Sequence, residues 1–197
     1  MSDTKSSVLQ AALPLFVEKG FLHTSLEDAA VAAGIPVGEL KKQFPTTDEL
    51  FMELIKSMDN QKFDNMDSYE QTSESCWEQV VKFVKLAEHQ IEIVNEKSLL
   101  PALMEFNMTS WRQKKNQDFI QWRYDVGTEE MIQFFKKGID SGEFRPKQPI
   151  EAIVGFFGSQ VNGLAIAVQW AGKEKIDYKK QIEMLLSYLQ DVLDPVN

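Results

Sequence analysis

One cysteine, Cys76, and two histidines, His23 and His89, are all that 197 residues offer in soft or switchable ligands. A single thiol makes no internal disulfide. With the histidines 66 positions apart in sequence (23 and 89), no metal-ligand spacing forms. There is no GxGxxG and no GxxxxGK[ST] to cradle a phosphate. No GxSxG supports a nucleophile elbow. The expectation is a protein that is not an enzyme and holds no metal or cofactor. Uninterrupted apolar runs also fall short of the ~20 residues of a membrane helix. The start, MSDTKSSVLQ, has no basic stretch followed by an apolar one. These lacks point to a cytoplasmic protein with no membrane partner.

Strand-like alternation and internal repeats are missing too, which leaves an all-α chain of about nine helices. Its length suits a small module plus a larger domain. The polar stretch from Asp67 to Ser75, DSYEQTSES, is the best break in composition. The expected division is residues 1–62 and residues 63–197.

What is present concentrates between Thr24 and Leu50, TSLEDAAVAAGIPVGELKKQFPTTDEL. A first helix, from about Lys5 to Lys19, carries Val8, Leu9, Ala12, Leu13 and Phe16 on one face, with Pro14 inside it and Gly20 as its stop. A second helix opens with Thr24 and Glu27 at capping-box spacing and stops at Gly34. Pro36 suits the first turn of a third, short helix reaching Gln43, which Phe44 closes onto the core. Thr46 and Glu49 repeat the capping-box spacing and start a fourth helix. Two short helices around a tight turn make a helix-turn-helix, at about 25–44. Its usual partner is double-stranded DNA.

Charge complicates that partner. The chain carries a formal charge of -9. Within residues 1–62, Lys5, Lys19, Lys41, Lys42, Lys56 and Lys62 are outnumbered by Asp3, Glu18, Glu27, Asp28, Glu39, Asp48, Glu49, Glu53 and Asp59. Phosphate grip depends on local cations, so the module reads as a weak non-specific binder with room for a few placed contacts.

Beyond residue 75, helical patterns fall near 76–95, 99–108, 117–140, 149–171 and 177–193. The 149–171 segment is apolar almost all round and must be covered on more than one side. Gly155, Gly158 and Gly163 would let another helix approach. Ile153, Phe157, Val161 and Leu164, with Leu185 and Leu189 of the last helix, form a candidate dimer interface of four-helix-bundle type; a monomer core is the other reading. Large apolar residues elsewhere are mostly core, and some could line a pocket between helices. Phe106, Trp111, Trp122 and Asn162 are the candidate ligand-binding set. Asn162 is included because an amide in so apolar a helix needs a partner, from protein or ligand. Glu105 reads either as a surface carboxylate or as the answer to a cationic ligand. Cys76 has no second thiol to resolve it as a redox sensor. Arg112, Lys114, Lys115 and Arg123 read as a solvated surface.

The stretch from Val8 to Leu54 resembles the TetR family of bacterial transcriptional regulators. The likeness rests on AALPLFVEKGF, TSLEDAAVAAGI, GELKKQF and TTDELF, in that order. It implies a DNA-binding N-terminal module and a C-terminal domain that dimerises and binds a small effector, here of lipophilic class. The implied activity is that of a repressor released from operator DNA by that effector. The resemblance carries Thr24 and Ser25 to a phosphate-holding helix start, Gly38 to close backbone approach, Leu40 and Phe44 to core anchors, and Lys42 to a variable DNA-facing position. At four positions the chain departs: Val37 replaces a basic residue, Lys41 a tyrosine, Gln43 a histidine and Thr47 a lysine. Glu39 replaces a small polar residue. Glu39 either accepts from a cytosine amino group or repels phosphate. Lys41 and Lys42 either contact DNA or form a solvated face. The alternative function is a TetR-like ligand-binding or accessory protein with weakened or lost DNA binding.

Overall fold

The protein, described by a computed structural model over residues 3–69, 75–94 and 98–196, is helical throughout. In chain order the helices are α1 (Asp3–Lys19), α2 (Leu26–Ala33), α3 (Val37–Gln43), α4 (Thr47–Tyr69), α5 (Cys76–Glu92), α6 (Leu100–Ser110), α7 (Lys114–Asp140), α8 (Ile150–Ala171) and α9 (Tyr178–Leu193). No strand occurs among the described residues. The polar break at 67–75 falls partly within α4, and its residues 70–74 lie outside the described residues.

Two compact units divide the chain. One takes residues 1–71 and 96–120, the other residues 72–95 and 121–197. The first unit therefore holds α1 to α4 together with α6 and the first turns of α7, whereas the break in composition placed everything beyond residue 62 in one domain.

In the first unit, glycines set the corners. Gly20 adopts φ +78 after α1, and its N–H reaches Phe16 O at 3.1 Å. Gly34 ends α2 in the left-handed region, its N–H shared between Ala30 O and Val31 O. Only glycine takes such angles without strain. The capping box of α2 is one residue later than its spacing suggested. Ser25, not Thr24, is the N-cap, and Asp28, not Glu27, is its partner. Ser25 Oγ accepts from Asp28 N–H at 3.1 Å, and Asp28 Oδ2 accepts from Ser25 N–H at 3.0 Å. Thr24 is buried instead, and its hydroxyl donates to Gly20 O at 2.7 Å, bracing the α1–α2 corner. The expected box of α4 is half made. Thr46 Oγ1 accepts from Glu49 N–H at 3.2 Å, while the Glu49 carboxylate pairs with Lys115. Pro36 precedes α3 as its N-cap, and its carbonyl takes the Glu39 and Leu40 amides.

Phenylalanines fill the centre of this unit. Phe51 lies 4.7 Å from Phe16, 5.1 Å from Phe21 and 5.3 Å from Phe106 between ring centroids, and Phe106 meets Phe119 at 6.1 Å. A buried phenyl contributes about 1.5–3 kcal/mol. Packed edge and tilt contacts add to that. Polar ties join α6 and α7 to the same unit. Glu105 Oε2 accepts from Leu22 N–H at 3.0 Å, and a Cβ on Gly20 would stand 2.6 Å from that oxygen. Asn116, almost fully buried, donates to Asp48 at 2.6 Å. Glu105 is thus a structural acceptor, not a free carboxylate. Lys115 belongs to an ion pair with the first turn of α4, not to a merely solvated surface.

In the second unit, α5, α8 and α9 pack on one another and on the later turns of α7. Ile153, Val154, Phe157, Leu164 and Val168 of α8 are buried with Leu185, Leu189 and Val192 of α9. Length and composition alone would let α8 cross a membrane, while in the fold one side of it is packed into this unit. A short return segment holds the end of the chain: Arg145 N–H reaches Leu193 O and Lys147 N–H reaches Val192 O, both at 2.8 Å. From the same segment, Glu143 accepts from the Cys76 and Trp77 amides at 2.8 Å each, closing the start of α5 across 67 and 66 positions of sequence.

Candidate nucleic-acid interface

The sequence reading named nine residues for DNA contact, and they divide by environment. Leu40 and Phe44 are buried and fix α3 by one side. The opposite side then presents Gly38, Glu39, Lys41, Lys42 and Gln43, all exposed. Nothing among the described residues lies within 4 Å of where a Cβ of Gly38 would stand, so a backbone approach is open there. Val37 is only half exposed and packs against the core, so its methyls are partly engaged. Thr47 opens α4 and is half-buried. Thr24 and Ser25 use their hydroxyls internally, Thr24 on Gly20 O and Ser25 on Asp28. A hydroxyl–phosphate contact from either would compete with those bonds.

Three lysines of the N-terminal module are ion-paired. Lys5 pairs with Glu53 at 2.7 Å, Lys19 with Asp28 at 2.7 Å and Lys41 with Glu27 at 2.8 Å. Hydrogen bonds from Lys19 and Ser25 hold the Asp28 carboxyl far below the ordinary carboxylate range. The hydrogen bond from Lys41 lowers the Glu27 carboxyl as well. Among the described residues, Lys42 of α3 has no ion pair and remains available. Glu27 was missed as a contact-surface residue because the capping-box spacing assigned it to Thr24. The signal was present in the adjacent Asp28, which is one residue better placed to cap.

The remaining candidates fall in different environments. Phe106 is fully buried in the aromatic centre of the first unit, so it is core and not free to line a pocket. Trp111 and Trp122 are exposed, with the Arg112 guanidinium 4.8 Å from the Trp111 ring. Asn162 is exposed, so its amide is not a buried group that requires a protein or ligand partner. Ile153, Phe157, Leu164, Leu185 and Leu189 are buried within their own subunit, and Val161 is half-buried. They cannot form an outer face while they form this core. The open face of α8 instead shows Ala152, Phe156, Ser159, Gly163 and Trp170, at steps of four, three, four and seven residues that keep them on one side of the helix, and α9 adds exposed Met184. The apolar repeat was legible, but it marked the inner seam; on so apolar a helix both seams satisfy the spacing. Burial pushes the Cys76 thiol up, and Glu143 beside it acts the same way, which argues against a reactive thiolate. No group of three metal-ligating side chains occurs among the described residues.

Comparison with known proteins completes the picture. The family model described as bacterial regulatory proteins, tetR family, matches residues 8–54. The one described as tetracyclin repressor-like, C-terminal domain, matches residues 79–179. The uncharacterized HTH-type transcriptional regulator YfiR of Bacillus subtilis strain 168 is 28% identical over 190 residues, covering 96% of this chain and 91% of that protein. A TetR transcriptional regulator from Chloroflexus aurantiacus J-10-FL shares the fold with a TM-score of 0.76 at 14% identity, over 95% of this chain and 94% of that one. The transcriptional regulator FadR from Bacillus subtilis, solved with stearoyl-CoA, shares it with a TM-score of 0.71 at 14% identity, over 98% and 99%. With both ends of the family pattern matched and an exposed α3 carried on buried Leu40 and Phe44, the chain belongs to the tetR family of bacterial regulatory proteins, which are transcriptional regulators and not enzymes.

Proposed function

We propose that this regulator is a cytoplasmic, effector-released repressor that binds operator DNA as a homodimer. The observation carrying the DNA half is the exposed row Gly38, Glu39, Lys41, Lys42 and Gln43, anchored by Leu40 and Phe44 beneath it. A short helix held this way offers side chains and open backbone to a major groove. The dimer half is supported by the open seam of α8. Phe156 and Trp170 are large, exposed and in register with Gly163 and Ser159, whose small size would let a second α8 come close. A dimer supplies the two modules that a two-part operator requires. The effector is a small lipophilic molecule. The apolar make-up of the second unit supports this class, as does stearoyl-CoA in a regulator of the same fold.

Footprinting on the DNA upstream of its own coding sequence tests the reading. Protection of a two-part site by folded dimer is the expected result. No protection at low salt overturns it in favour of a ligand-binding accessory protein. That second reading draws on one observation, the partnering of Lys5, Lys19 and Lys41 by carboxylates.

A further inference from the structure

Glu27 and Asp28 sit side by side at the start of α2, and each holds a lysine, yet the two pairs are built differently. Asp28 accepts from the Ser25 amide, the Ser25 hydroxyl and Lys19. It is fixed by the cap. Glu27 has no part in the cap, and its carboxylate reaches across to Lys41 of α3 at 2.8 Å. Both of its partners stay wet, with side-chain exposures of 62% for Glu27 and 50% for Lys41. An exposed pair of this kind is weak and exchanges readily with other partners.

Lys41 also lies on the face that the DNA-binding reading assigns to the duplex, next to unpaired Lys42. A carboxylate and a phosphate oxygen make the same demand on an ammonium group. We propose that Glu27 is a built-in competitor of DNA phosphate for Lys41, so that the module holds DNA less firmly and with a shallower salt dependence than its lysines would otherwise give. The inference rests on the DNA-binding reading. It makes the two adjacent lysines unequal: Lys42 meets DNA directly, while Lys41 must first leave Glu27. It also assigns Glu27 a role in setting affinity that is separate from folding, since the Ser25–Asp28 cap survives its replacement.

The test uses the full-length protein with two duplexes, one from the footprinted upstream region and one of mixed sequence and equal length, titrated over a range of salt. Glu27→Gln and Glu27→Ala are each compared with wild type, then repeated on a Lys41→Ala background. Thermal unfolding should shift only slightly in both single variants, because the Ser25–Asp28 cap remains while one first-turn carboxylate and one exposed pair are lost. The expected result is binding about two- to fivefold tighter, with a log–log salt slope steeper by about one per module. On the Lys41→Ala background the gain should vanish. Unchanged affinity and slope in the Glu27 variants, with wild type bound, overturn the inference alone. A gain of equal size without Lys41 also overturns it, because removing any nearby negative charge would then explain the effect. Failure of wild type and variants alike to bind either duplex at low salt overturns the DNA-binding reading beneath it.

Discussion

The two compact units solve the same problem, burying aromatic and aliphatic surface with helices, to different degrees of completion. In the first, Phe16, Phe21, Phe51, Phe106 and Phe119 converge and close over one another. In the second, the inward face of α8 is covered, yet Phe156, Trp170 and Met184 remain outside. A phenyl in the first unit has its partners within the chain. A comparable ring on α8, Phe156, has Tyr188 at 4.5 Å and is 43% exposed. The contrast lies in the large rings: the phenylalanines of the first unit close over one another within one chain, while α8 leaves Phe156 and Trp170 exposed on the face that the proposed dimer would use. Exposed apolar side chains of that kind are what the proposed association face would cover.

The sharpest way to break this comparison is to remove one ring from each unit. Phe51→Ala takes away the residue that touches three other rings, and large-to-small changes at such sites cost about 3–5 kcal/mol. The expected outcome is a large fall in the urea midpoint. The matching change, Phe156→Ala with Trp170→Ala, should leave the subunit folded. It should instead weaken self-association, by about 2 kcal/mol if these rings are the anchors of the interface. That appears in sedimentation equilibrium as monomer at concentrations where wild type is dimeric. A double variant that stays dimeric, or one that unfolds like Phe51→Ala, would erase the distinction drawn between the units.

A smaller effect sharpens the first unit from within. Ser25→Ala removes the N-cap hydroxyl of α2 and should cost about 1 kcal/mol. The loss should be read as faster amide exchange at Asp28, the amide that Ser25 Oγ receives. If Thr24→Ala produced that exchange signature and Ser25→Ala did not, the cap would sit where the sequence spacing first placed it.

That one-residue shift illustrates what was legible beforehand. Thr24–Glu27 and Ser25–Asp28 satisfy the same spacing, and helix periodicity does not choose between them. The choice was made by Thr24 turning inward to Gly20 O, a contact set by the corner of α1 and α2. Glycine stops, the Pro36 start and the long apolar stripes needed only local chemistry, and they appear where the sequence put them. The side of α8 that faces outward did not. An all-round apolar helix has two seams, and which becomes core depends on α5 and α9. The exposure of Asn162 follows from the same choice. On α3, exposed and buried positions alternated as expected because Leu40 and Phe44 are strong anchors. The Glu27–Lys41 pair joins positions 14 apart on different helices, beyond the reach of any helix-spacing rule.

The smallest expected effect concerns the second unit and comes from Glu143. Burial raises its carboxyl, but hydrogen bonds from the Trp77 and Cys76 amides outweigh it, and the net shift is downward from 4.5. A carboxyl whose folded pKa lies below its unfolded value favours folding above the unfolded value, and the contribution is lost as pH falls through the folded one. Stability of the second unit should therefore be flat near neutrality and decline below about pH 4.5. Glu143→Gln keeps one carbonyl acceptor for the α5 amides and removes the titration. Its midpoint at pH 7 should be slightly lower than wild type, and the gap should narrow as pH falls through the acid range. A constant gap from pH 7 to pH 3 would mean that the carboxylate charge adds nothing at the start of α5. The closure of that helix by a residue 67 positions away would then be a matter of shape alone.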